Sequence, residues 1–512
     1  MTYPEGKRYY KDAHGIRRTQ IDDEVTKVIY RLNKFGYKAF LVGGGVRDLL
    51  IGKRPKDFDI ATSATPNQIK KMFNNCRIIG RRFKIVHILF KGKVIEVSTF
   101  RSLPDHRFTK FQKDKNYLIT KDNSFGNAKE DAARRDFTVN ALYYDIRNES
   151  IIDFVGGFED SKSKVVRVIG DPEISFREDP VRMLRAVKFS TLLGFELEKK
   201  TKLAIKKLRG EIEKASKPRM LEEFNKIFRT WRSSHIFKSL AEVSLFDVLL
   251  KESANVLSQK EGWQENFLES PMGRRLALAD KLLSEREEVT PAVYFAILFS
   301  DLVESKLKEG KGHFHNLVKQ ALDPAFQRMG IPKRDQEKLL KMFSSQNRFM
   351  NSDPEKLKES EFFQQKDYFY DSFMLFKILA LANKEEDKIQ KAMFWEIAAG
   401  TARANRKEQM EQKKLERQQS RPHNKPRHDS RESDEEDDDS EEFDSEESVD
   451  SESFEKQPKS FESNPGSDQK DQKPKHFKKR RRNFKKRKFN NQNFNKKDSG
   501  GESSSNPNPG NE

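Results

Sequence analysis

The run Leu41-Val42-Gly43-Gly44-Gly45-Val46-Arg47-Asp48, followed at once by Lys56-Asp57-Phe58-Asp59-Ile60, limits the folds open to this chain. It reads as a strand, a glycine turn, a helix start and a second strand that carries two carboxylates. Glycines let backbone N–H groups come close to a phosphate. Side chains at i and i+2 of a strand share a face, so Asp57 and Asp59 are expected side by side, roughly 6–7 Å apart at Cα. Carboxylates so placed can hold Mg²⁺ between a triphosphate and an attacking hydroxyl. The chemistry this suits is nucleotidyl transfer. An Asp-x-Asp pair alone more often marks a solvated strand end. The glycine turn alone is neither a Walker loop nor a dinucleotide fingerprint. Their combination within about ten residues carries the weight.

Around this core the pattern predicts a small α/β unit. Residues 21–36 form an amphipathic helix with Val25, Val28, Ile29 and Leu32 on one face, ended by Gly36. Strands are expected at 38–42, 58–61, 77–79, 85–90 and 94–100, the last two joined by a hairpin at Lys91-Gly92-Lys93. Short helices are expected at 46–51 and 66–73. Residues 104–124 read as a polar loop, and 142–146 with 151–154 as a further hairpin. From Asp171 to about Arg406 the periodicity is almost wholly helical. The fold class is therefore α+β: a head with a small mixed or antiparallel sheet, then an all-α part. The division expected is 1–170 for the head, 171–260 and 261–405 for the helical regions, and 406–512 for a disordered tail.

Charge and composition narrow the partners. The 512 residues include 100 Lys+Arg and 81 Asp+Glu, a net charge of +19. Residues 401–512 hold 26 basic and 25 acidic residues, so nearly all the surplus lies in the part expected to fold. A basic folded unit suits a polyanion such as RNA, although charge alone also serves solubility. Residues 432–455 carry fifteen acids and no Lys or Arg. Residues 473–497 carry thirteen Lys+Arg, with Phe477, Phe484, Phe489 and Phe494 among them. Both blocks lack the apolar content to fold. The second has the make-up of an RNA-binding arm. A single cysteine, Cys76, excludes an intramolecular disulfide framework and suits a reducing compartment. Without a signal core in Met1 to Arg18 or a spanning apolar stretch, a soluble cytoplasmic protein with no membrane partner is expected.

Two more segments bear on chemistry. Glu130-Asp131-Ala132-Ala133-Arg134-Arg135-Asp136-Phe137-Thr138 puts two arginines and an aspartate at a helix end. Arg135 could fork onto phosphate oxygens, and Asp136 could complete the carboxylate set or hold Arg135. A surface ion-pair cluster is the commoner use of such a triplet. In Glu178-Asp179-Pro180-Val181-Arg182-Met183-Leu184-Arg185-Ala186-Val187-Lys188, Asp179 is an expected N-cap and Pro180 the first helical residue. Arg182, Arg185 and Lys188 share a face. Asp179 and Arg182 could read a base edge, or the aspartate could simply cap and the basic face be solvated. Glu96, in the apolar strand Val94-Ile95-Glu96-Val97, is a third candidate carboxylate, facing Asp57 and Asp59 or paired with Arg101 or Arg47.

Taken in order, these segments resemble the class II nucleotidyltransferases, the family of bacterial poly(A) polymerases and CCA-adding tRNA nucleotidyltransferases. The resemblance extends over roughly residues 14–250. It implies a head, neck, body and tail, with Asp57 and Asp59 as metal ligands and Asp136 counted with the catalytic carboxylates. It implies nucleotide contacts at Gly44, Arg47, Arg135, Arg182 and Arg185, with Asp179 and Arg182 reading the base. Mg²⁺ is the implied cofactor, Mn²⁺ being equally suited to oxygen ligands. The implied reaction adds AMP from ATP to RNA 3′ ends with release of pyrophosphate. RNA partners would be mRNA, decay intermediates or tRNA, with RNA-decay proteins as protein partners. His14-Gly15-Ile16, the segment 28–34 and the arginine-rich segment 78–88 resemble the poly(A) branch. The alternatives are CCA addition to tRNA and a non-catalytic RNA-binding scaffold on the same fold.

Overall fold

A computed structural model describes residues 5–80, 84–102, 124–351 and 362–419. The head is built on one eight-stranded sheet: β1 (Lys7–Tyr9), β2 (Ala39–Val42), β3 (Asp59–Thr62), β4 (Cys76–Ile79), β5 (Ile85–Phe90), β6 (Lys93–Thr99), β7 (Leu142–Asp145) and β8 (Ser150–Asp153). Their order across the sheet is β1-β8-β7-β2-β3-β6-β5-β4. Only β3 and β6 run parallel; the other neighbours are antiparallel. The sheet is thus mixed, as expected, with both hairpins present.

All four residues of β2 are buried, as befits a central strand covered on both faces. Leu41, Ile60, Ile95 and Val97 pack on one face against Val25, Val28, Ile29 and Leu32 of the helix Asp23–Lys34. Phe40, Val42, Ala61, Phe100 and Tyr143 pack on the other. By alternation Asp59 and Glu96 belong to this second face. They are register partners where the parallel strands begin.

The strand carrying the carboxylates starts later than its sequence suggests. Its ladder with β2 ends at Val42↔Asp59, because the chain turns away at Gly43 with φ +72°. Asp57 and Phe58 therefore have no strand partner, and Asp57 is an exposed residue just ahead of β3. The helix expected at 46–51 begins at Gly44 and ends at Leu50.

A two-residue parallel pair, β9 (Val165–Val166) with β10 (Glu196–Leu197), interrupts the helical region. Otherwise the described elements after Pro172 are helices. Their core is continuous with Phe137 and Val139 of the head. No described helix is long and apolar enough to cross a membrane. One boundary needs correction. The last described helix, Glu386–Gln419, runs past residue 406, where disorder was expected. Its distal part lacks apolar periodicity but is rich in Ala, Glu, Lys, Arg and Gln, whose helix propensity is high. The acidic and basic blocks lie outside the described residues, as does the loop expected at 104–124 except for Ser124.

Candidate functional site

Glycine is required at two places in the turn. At Gly43 the backbone is left-handed, and a Cβ would stand 3.2 Å from Arg135 Nη1 and 3.8 Å from Asp59 Oδ2. At Gly45 a Cβ would press on the Asp57 carbonyl oxygen at 3.3 Å and on Phe58 Cδ1 at 3.4 Å. The glycines thus bring the helix Gly44–Leu50 against the backbone of Asp57 and put Arg135 beside Asp59. Gly44 itself is in ordinary contact with Arg47, its Cβ position lying 3.5 Å from Nη2.

The acidic groups act on one another. Burial raises the Asp59 carboxyl; Arg135 opposes this and Asp57 adds to it. Glu96 is pushed up to about 7, first by desolvation, then by Asp59, with Lys226 opposing and Asp57 adding. Neither arginine proposed as a partner takes Glu96: Arg101 bonds Asp131, and Arg47 bonds Asp48. Among the described residues its nearest basic atom is His87 Nε2 at 3.8 Å, on a ring whose pKa burial lowers. Crowded carboxylates that raise each other's pKa fit a hard divalent cation, which would relieve the repulsion. Among the described residues no three acidic, His or Cys side chains converge as ligands. The fit is therefore to a carboxylate pair completed by substrate oxygens, with Glu96 close by.

Asp136 is joined to the glycine turn through Asn140, which bonds both it and Arg47. It does not hold Arg135, whose Nη2 bonds Asp131 Oδ2 at 3.0 Å while Nη1 reaches the Asn140 carbonyl at 3.3 Å. Arg135 also lies over the Tyr143 ring, 5.4 Å from its centroid. Asp136 is taken up by the neck helix Val181–Leu193. Its Oδ2 accepts from Arg185 Nε and Nη2 at 2.9 and 2.7 Å, and its Oδ1 accepts from Asn140 Nδ2 at 3.1 Å. Burial works against the charge, yet Arg185 and Asn140 hold Asp136 at about 2. Asn140 Oδ1 in turn accepts from Arg47 Nη1 at 2.6 Å. Arg185 Nη1 donates to Glu223 Oε1 at 2.8 Å, and Lys188 bonds the same carboxylate. A continuous polar chain thus runs from the glycine turn through Arg47, Asn140, Asp136, Arg185 and Glu223 to Lys188. The basic face of the neck helix is not solvated: Lys188 is 4% exposed, and burial lowers its ammonium pKa to about 8.

Asp179 does not cap the neck helix. The helix begins at Val181 without a side-chain cap, and the Asp179 carboxylate is gripped by Arg219 through two bonds of 2.9 Å. Arg182 Nε stays 4.0 Å from Asp179 Oδ2, while its guanidinium donates to Ser175 Oγ at 2.6 Å and to the Arg134 carbonyl at 3.1 Å. Sequence reading missed Asp131, Asn140, Tyr143, Arg219 and Glu223. The last two lie four apart on the helix Lys217–Phe228, a spacing that shows a shared face but no partner.

The family described as "Poly A polymerase head domain" matches residues 39–167. The family described as "Probable RNA and SrmB-binding site of polymerase A" matches residues 194–257. Poly(A) polymerase I of Escherichia coli O6:H1 is 40% identical over 335 residues, covering 63% of this chain and 71% of that protein. A CCA-adding enzyme of Lactobacillus helveticus is 39% identical over 200 residues, covering 39% of this chain and 48% of that enzyme. The crystal structure of the Bacillus stearothermophilus CCA-adding enzyme in complex with CTP matches with a TM-score of 0.51 and 25% identity. It covers 73% of this chain and 82% of that one.

Proposed function

Because the chain belongs to the family of bacterial poly(A) polymerases and CCA-adding nucleotidyltransferases, we propose that it is a template-independent poly(A) polymerase. It adds AMP from ATP to RNA 3′ ends and releases pyrophosphate. The observation that carries the poly(A) branch is the extent of likeness: it runs over 63% of the chain for the poly(A) polymerase and 39% for the CCA-adding enzyme, at nearly equal identity.

Asp57 and Asp59, with Glu96 beside them, would hold the divalent cation, Mg²⁺ or Mn²⁺. A bound cation would lower the pKa of the terminal ribose hydroxyl and offset charge on the leaving pyrophosphate. Arg47 and Arg135, at the glycine turn, orient triphosphate oxygens. Asp136 is a positioning residue: it fixes Arg185, so that a neck guanidinium and the head's phosphate-binding arginine belong to one hydrogen-bonded chain. Arg219 fixes Asp179 beside Arg182, the pair assigned to the base edge. The basic helices beyond Asp171 bind the RNA backbone with little sequence preference. We place the reaction in the cytoplasm, on mRNA and decay intermediates.

Extension of an oligoribonucleotide tests this. With Mg²⁺ and ATP alone, a homopolymer growing well past three nucleotides is expected, and little extension with CTP. Incorporation that stops at CCA on tRNA would move the chain to the other branch. No incorporation of any nucleotide would leave the scaffold reading.

A further inference from the structure

The turn between the helices Lys217–Phe228 and Ser233–Glu242 holds a tryptophan where folding has no use for it. Trp231 has φ +56°, in the left-handed region that suits glycine and strains a bulky residue. Its side chain is 61% exposed. Arg229 and Arg232 flank it and are exposed too. Among the described residues none of these three side chains makes a hydrogen bond, ion pair or ring contact. The turn itself is firmly held. Thr230 bonds the Ile227 carbonyl through its hydroxyl at 2.7 Å. On the other side Asp280 takes the backbone N–H and hydroxyl groups of Ser233 and Ser234 at 2.7–3.1 Å.

The turn closes a helix that reaches toward the candidate site. Lys226 is near enough to Glu96 for its charge to oppose the rise in that carboxyl. Trp231 follows Lys226 by five residues, which span at most about 18 Å even fully extended. A rigid, exposed, unpartnered indole between two arginines is the composition of a sequence-tolerant stacking site: the ring takes a base and the charges take its phosphates. Tryptophan and arginine also anchor protein interfaces; two unpaired positive charges beside the ring, on a chain of net charge +19, favour a polyanion here.

We propose that Trp231, with Arg229 and Arg232, is a stacking platform for single-stranded RNA on the neck side of the site. This rests on the reading of the chain as an RNA-extending enzyme. The test uses the full chain, an oligo(A) RNA at fixed salt, and four variants. Trp231→Ala is expected to weaken RNA binding roughly 5- to 150-fold and to raise KM for RNA while KM for ATP holds. Trp231→Phe and Trp231→Tyr are expected to retain most of the affinity. Trp231→Gly, which relieves the backbone, is expected to melt no lower than wild type yet bind RNA as poorly as the alanine variant. Trp231→Ala binding RNA within twofold of wild type would overturn the platform while leaving the enzyme intact. A wild-type chain that neither binds nor extends RNA would overturn both.

Discussion

Arg185, on the neck helix, closes both Nε and Nη2 onto Asp136 Oδ2 at 2.9 and 2.7 Å, and so ties the helical part to the head beside the candidate site. The contact joins a carboxylate that the sequence placed with the catalytic acids to the neck helix.

Asp136→Asn should therefore cost stability on the order of 3 kcal/mol, the range for breaking a buried charge pair. It also sets a pH dependence. The folded pKa of Asp136, about 2, is below the unfolded value. Its contribution is fully present above the unfolded value near 4 and is lost as pH falls from there through about 2. Acid titration of Tm should show a shallower loss over that window in the variant than in wild type.

Glu96 has the opposite sign. Its folded carboxyl is raised to about 7, so without divalent cation the folded state binds the proton more tightly than the unfolded state between the two values. Stability falls as pH rises through this window and stays lower above it. Without divalent cation, Glu96→Gln should melt higher than wild type at pH 8 and little differently at pH 4. Added Mg²⁺ should raise wild-type Tm at pH 8 more than that of the variant.

Gly43→Ala forces a Cβ into the left-handed region 3.2 Å from Arg135 Nη1. A cost of about 1–3 kcal/mol is expected from the backbone alone. Because Arg135 must move away from Asp59, kcat/KM for ATP should fall further than stability accounts for. Steady-state kinetics at a temperature well below both melting points would show this.

Arg219→Ala releases Asp179 from its two bonds. The preference for ATP over CTP, measured as the ratio of kcat/KM values, should drop roughly tenfold or more as the base-edge acceptor loses its fixed position.

Local pattern was enough to find much of this. The helix Asp23–Lys34 announced itself by Val25, Val28, Ile29 and Leu32, and the hairpin β5–β6 by its glycine turn. The glycine turn and Asp59 were legible because both depend on residues a few positions apart. What failed depended on distant partners. Nothing near Asp136 says that its Oδ2 goes to Arg185, 49 residues on, and nothing near Asp179 names Arg219. Asp57 was given to a strand because alternation extends two residues too far. The ladder stops where Gly43 leaves the sheet, which is a property of β2 and not of the segment that carries Asp57.

The most direct test is the double variant Asp57→Ala with Asp59→Ala, assayed for AMP incorporation and, separately, for RNA affinity at one salt concentration. Incorporation should fall by about a thousandfold or more, with RNA affinity within about twofold of wild type. Incorporation near the wild-type rate in that variant would contradict the account.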